Sequence, residues 1–159
     1  MIIVEFTAYR AADKGAQGSP AGLTKGAGFE AGSRRTYGLS PTEAWSLIVS
    51  SRGNELLTGR RAPLEGDGPG AVWEGPPVAY EVTTFVPASH FRMKWRLAEW
   101  PAPSILQVRV LPAAKGRTTI AFHQERLADA EAREAMLRRW EGIHERFAAI
   151  VAEGKGGKA

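Results

Sequence analysis

The clearest pattern in the chain is "FRMKWRL", where Phe91, Met93, Trp95 and Leu97 alternate strictly with Arg92, Lys94 and Arg96. A period of two predicts a strand with one buried and one wet face. From residue 60 to 126 the chain runs in short segments separated by glycine and proline, which predicts an antiparallel sheet rather than a series of βαβ crossovers. The strand candidates are 71–74, 78–86, 91–98, 104–111 and 117–126. With the apolar half of "FRMKWRL" taken as inward, parity places Tyr80, Val82, Thr84 and Val86 on the same face, with Leu106, Val108, Val110, Ile120, Phe122 and Gln124. Arg92, Lys94, Arg96, Gln107, Arg109, Thr119, Ala121, His123 and Glu125 fall outward. Trp100, Pro101 and Pro103 read as a rigid turn, since proline gives no ladder donor and belongs at strand ends.

After residue 128 the period changes. Met136, Trp140, Ile143, Phe147 and Ile150 recur at steps of four and three, flanked by Leu137, His144 and Val151, which predicts one long amphipathic helix. Asp129 is its expected N-cap and Gly154 its expected stop. A second helix is expected from 41 to about 50, where Ser40, Pro41 and Glu43 form a capping box with proline at the first helical position. A further short turn carrying Leu56 and Leu57 is expected between Gly53 and Gly59. Residues 1–14 read as an N-terminal extension, with a short helix or a strand over 2–12, and 15–27 as a glycine-rich linker. The main domain is then 28–153, with a flexible tail over 154–159.

Composition narrows the function classes. The chain has 159 residues, 43% hydrophobic and 24% charged, as expected of one ordinary globular domain. It has no cysteine, which excludes disulfides, thiolate nucleophiles and thiolate metal sites, and a cytoplasmic location is expected. The start "MIIVEFTAYR" has neither the charge layout of a signal peptide nor the length of a membrane span. A net charge of +4 is modest, and Lys94 and Arg96 alternate with the inward Trp95. Base stacking needs aromatic and basic groups on one face, so no nucleic-acid partner is expected. The chain has no Gly-x-Ser-x-Gly, Walker or dinucleotide motif, and "GDGPG" at 66–70 lacks the following helix that a phosphate site would use.

The segments "TYGLSPTEAW", "YEVTTFVPASHFRMKWRLAEWPAPSILQVRV", "HQERL" and "DAEAREAMLRRWEGIHERF" together resemble the SRPBCC (START-like) superfamily over residues 28–152, in the branch named after the activator of heat-shock protein 90 ATPase. The resemblance implies an α+β helix-grip (START/Bet v-like) fold: a curved antiparallel sheet wrapped around the long C-terminal helix, with two short helices after the first strand. It also implies a cavity between sheet and helix for a small hydrophobic or amphipathic molecule. Family members include lipid carriers, receptors, cyclases and uncharacterised bacterial proteins, so the fold leaves the role open.

On this reading the cavity is lined by Tyr80, Thr84, Met93, Trp95, Val108, Phe122, Gln124, Trp140 and His144. Gln124 stands where the branch commonly has a histidine, and an amide can orient a ligand but cannot shuttle a proton. His90 and His123 read as surface residues, and His144 as a polar group facing the cavity. Arg126 shares the inward parity near a strand end, where it would meet an acidic ligand head or solvent. "HQE" offers two outward ligands with no third in view, so no metal and no cofactor are expected. Two alternatives stand beside a binding role: a cyclase- or hydrolase-type enzyme with Tyr80 and His144 as acid and base, and a chaperone-associated partner-binding module. A homodimer is left open.

Overall fold

A computed structural model describes residues 23–24 and 28–157, with side chains over 28–154. The expectations for residues 1–22, for 25–27 of the linker and for 158–159 of the tail lie outside these. In chain order the elements are β1 (Leu23–Thr24), β2 (Gly28–Tyr37), α1 (Pro41–Val49), α2 (Ser51–Thr58), β3 (Val72–Trp73), β4 (Val78–Val86), β5 (His90–Leu97), β6 (Ser104–Pro112), β7 (Thr118–Leu127) and α3 (Ala130–Gly157). The strands form one antiparallel sheet in the order β1-β2-β7-β6-β5-β4-β3. Hairpins join β4 to β5, β5 to β6 and β6 to β7. The connection from β2 to β3 carries α1 and α2 across to the far edge.

The helix ends follow the sequence signals. Ser40 Oγ accepts from the Glu43 amide at 3.1 Å while Glu43 accepts from the Ser40 amide at 2.9 Å, closing the capping box. The Asp129 carboxylate accepts from the Ala132 amide at 2.8 Å. Two expectations are corrected here. Gly53 does not bound the second short helix but lies in its first turn, where a Cβ would stand 2.2 Å from the Leu47 carbonyl oxygen, so α1 and α2 join at an elbow that only glycine fits. Gly59, at φ 89°, does end it. The long helix does not stop at Gly154 but runs to Gly157.

The core is the inner face of the sheet covered by α1, α2 and α3. Phe91, Met93, Trp95, Leu106, Val108 and Ile120 are fully buried, with Trp140 and Phe147 from α3 against them. Parity holds through β5 and β6 but fails in β4. The register to β5 shifts between Val82 and Thr84: Val82 opposes Met93, then Thr84 opposes Arg92 and Phe85 opposes Phe91. An extra residue in one strand of a pair turns every later side chain to the other face. Thr84 and Val86, expected inward, therefore face outward with Arg92 and His90, and Val86 is 42% exposed. Phe85 takes the inward place, 5.4 Å from Trp45 and 6.3 Å from Phe91 between ring centres. Near the end of β7, Arg126 has φ 67° and is exposed, so the inward alternation ends at Gln124 and Leu127 is buried instead.

Candidate functional site

Of the nine cavity residues expected from sequence, eight are brought to the interior and one, Thr84, is not. Among the described residues the eight do not surround an open space. Met93, Trp95, Val108, Gln124, Trp140 and His144 are 0% exposed, which leaves no water-sized void against them. Aromatic rings fill the region: Phe122 lies 5.1 Å from Trp140 and 4.7 Å from His144, and Trp95 lies 5.5 Å from Trp140. Close packing of this kind is the ordinary condition of a core.

Nor do Tyr80, Gln124 and His144 converge. Each serves a separate polar node. Gln124 Oε1 accepts from Trp140 Nε1 at 2.7 Å, and its Nε2 donates to Ser104 Oγ at 2.8 Å. Ser104 in turn donates to the Trp95 carbonyl at 2.7 Å. A glutamine amide supplies both the acceptor and the donor that bridging α3 to β6 requires, and both are used within the core. Tyr80 lies towards the β3 edge, where its hydroxyl accepts from Arg60 at 3.1 Å and Asn54 at 3.3 Å and donates to the Gly70 carbonyl at 3.3 Å. The "GDGPG" loop thus seats Tyr80.

His144 pairs instead with Tyr37, which sequence reasoning passed over. Tyr37 closes β2, where "GFEAGSRRTY" has no apolar alternation to mark an inward half. Its hydroxyl lies 2.5 Å from His144 Nδ1 and 3.2 Å from the His144 carbonyl oxygen. Both contacts are satisfied when Nδ1 carries the proton and donates to the phenol oxygen while the phenol donates to the carbonyl. That arrangement leaves Nε2 bare, and Nε2 is buried without a hydrogen-bond partner. Burial holds the His144 pKa down at about 4, with a smaller lowering from Arg35 set against raising contributions from the Ser33 backbone and Glu145. Burial likewise pushes the Tyr37 phenol above its usual 10. Both groups are neutral near pH 7. Tyr80 and His144 are not hydrogen-bonded to each other: Tyr80 bonds Asn54, Arg60 and Gly70, and His144 bonds Tyr37.

On the outer face the third ligand missing from "HQE" is supplied by β2. Glu30, His123 and Glu125 bring one donor atom each within 4.8 Å of one another. This corrects the expectation of a two-ligand face, and the set has donors suited to a divalent cation. Its polar atoms are also engaged: His123 Nε2 lies 2.9 Å from Glu30, and Arg92 lies 3.2 Å from Glu125. His123 is therefore not a bland exposed residue. Lys94 lies 3.9 Å from Glu81, so two of the three basic residues in "FRMKWRL" stand beside carboxylates.

An opening is found at the other end of α3. Gly38, Leu39, Glu43, Leu47, Ile150, Val151 and Gly154 line a cleft of about 250 Å³ between the turn after β2, α1 and the last turns of α3. Its walls are mainly apolar, and the Glu43 carboxylate is held in the capping box. Phe147, one turn before Val151, packs edge-on against Tyr37, with ring centres 6.5 Å apart.

An antiparallel sheet with two short helices inserted after its first long strand and a long C-terminal helix packed on its inner face is the helix-grip fold. Solved structures of that fold match the chain closely in shape and weakly in sequence. CalU16 from Micromonospora echinospora shares 13% identity over 77% of this chain and 73% of its own, with a TM-score of 0.61. DynU16, from the dynemicin biosynthetic locus, shares 15% identity over 79% of this chain, with a TM-score of 0.65; the chain spans about half of DynU16, 48% of its length. A Mesorhizobium loti protein shares 17% identity over 78% of this chain and 97% of its own, with a TM-score of 0.62. No protein-family model matches the sequence, and no curated protein matches it. Among the described residues no helix is long and apolar enough to cross a membrane.

Proposed function

We propose that this helix-grip domain binds a small hydrophobic or amphipathic molecule between α1 and the C-terminal turns of α3, rather than in the aromatic interior. The cleft lined by Leu39, Leu47, Ile150 and Val151 carries this reading. A volume of about 250 Å³ exceeds the ~150 Å³ of an apolar cavity known to admit benzene and lies just below the usual range for drug-sized ligands. A bicyclic aromatic or a medium alkyl chain is the fitting size. Binding is favoured over catalysis because Tyr37 and His144 are buried away from the cleft and hydrogen-bonded to each other, and the one titratable group in its lining, Glu43, holds the Ser40 amide in the capping box.

Titration with 1-naphthol, followed by calorimetry, tests it. Saturable binding to the wild type, weakened by Leu47→Trp or Val151→Trp as the indole fills the cleft, is the expected result. No saturable binding, or equal binding to both folded tryptophan variants, would remove the reading.

A further inference from the structure

We propose that Arg60 and Arg139 form an oxyanion site at the β3 side of the domain, taking a carboxylate or phosphate carried on a flat apolar body. Arg60 follows α2; it donates to the Tyr80 hydroxyl at 3.1 Å, and its guanidinium carbon lies 4.7 Å from the Trp73 ring centre. Arg139, on α3, lies 5.0 Å from the Trp95 ring and 5.9 Å from the Trp140 ring. Tyr80 and Trp95 are directly opposed in the β4–β5 ladder, and Trp95 Nε1 donates to the Leu57 carbonyl at 3.0 Å, three residues before Arg60. The two arginines therefore border the two members of one cross-strand pair, Arg60 at Tyr80 and Arg139 at Trp95.

Their charge is left over. Like several other arginines, Arg96, Arg109 and Arg126 among them, Arg60 and Arg139 have no carboxylate partner among the described residues, and these two stand over aromatic rings. The unused polar atoms are donors as well: Arg139 Nε and Trp73 Nε1 are buried without an acceptor. Desolvated donors and unneutralised guanidinium groups carry a cost that an oxyanion removes, and the planar guanidinium matches carboxylate or phosphate geometry. Arg60, Trp73, Trp100 and Arg139 are only partly buried, so a ligand can approach, and the Trp73 and Trp100 rings give a flat body something to lie against. The site is separate from the cleft: Arg139 precedes Ile150 by eleven residues, roughly 16 Å of helix.

The test is calorimetric titration of wild type, Arg60→Met and Arg139→Met with 2-naphthoate, 2-naphthyl phosphate, neutral 2-naphthamide and inorganic phosphate, with circular dichroism to confirm folding. At least one aryl anion is expected to bind wild type about tenfold or more tighter than the amide, and to lose that advantage in either variant. The carboxylate and phosphate arms tell which head group is preferred. Neither aryl anion binding, equal binding of anion and amide, inorganic phosphate binding alone, or undiminished binding to folded Arg139→Met would each overturn the proposal. If a methionine variant does not fold, the comparison of anion with amide on wild type decides. Val151→Trp leaves this binding unchanged, so failure here and failure of the cleft reading are distinguishable.

Discussion

Lowering the pH should destabilise this protein through one residue. His144 is 0% exposed with a pKa held at about 4, while the unfolded chain restores it to about 6.5. Between those values the unfolded state takes up a proton that the folded state refuses, so stability is fully present above pH 6.5 and is lost as the pH falls towards 4. The whole effect is worth roughly 3 kcal/mol, a sizeable part of the 5–15 kcal/mol of an ordinary domain. His144→Phe removes the titration while leaving the Tyr37 hydroxyl its backbone acceptor at residue 144. Urea unfolding followed by tryptophan fluorescence at pH 7.5 and 4.5 measures both proteins. The carboxylates and the other histidines titrate alike in each, so the difference isolates His144. Wild type should lose about 2–3 kcal/mol more than the variant across that interval. Parallel losses would refute the assignment of a buried, neutral imidazole.

Three further outcomes follow from the packing. Phe85→Ala should cost about 2–4 kcal/mol and Thr84→Ala under about 0.5, the reverse of what unbroken alternation implies, as read by thermal unfolding. Gln124→Leu leaves the buried Trp140 Nε1 without its acceptor and should cost about 2–3 kcal/mol in urea unfolding. Gln124→His keeps one acceptor and one donor nitrogen and should cost clearly less. Gly53→Ala should destabilise by more than the ordinary helix preference for alanine returns, because its Cβ meets backbone at the α1–α2 elbow.

Most of the fold is legible in the sequence because its signals are local. The capping box at Ser40, the alternation around Trp95 and the stripe from Met136 to Ile150 each specify an element without help from the rest of the chain. The misreadings arise where long-range geometry intervenes. A bulge after Val82 has no mark in "VTTFV", and it exchanges Thr84 for Phe85 on the inner face. Tyr37 sits at the end of a strand whose small and charged residues hide its inward half, so the partner of His144 was invisible. The interior is a separate matter. Parity reports which residues face inward, but it cannot report whether they enclose space or fill it, and Phe122, Trp140 and Trp95 fill it. The cleft beside Leu47 and Val151 depends on how α1 meets the end of α3, which no run of residues encodes.

The central claim, that the ligand site lies in that cleft and not in the aromatic interior, is tested most directly by amide chemical-shift mapping during a 1-naphthol titration. The account predicts saturable shifts centred on Leu39, Leu47, Ile150 and Val151, with Trp95, Gln124 and His144 little changed. Shifts centred on Trp95, Gln124 and His144, or none at saturating probe, would contradict it.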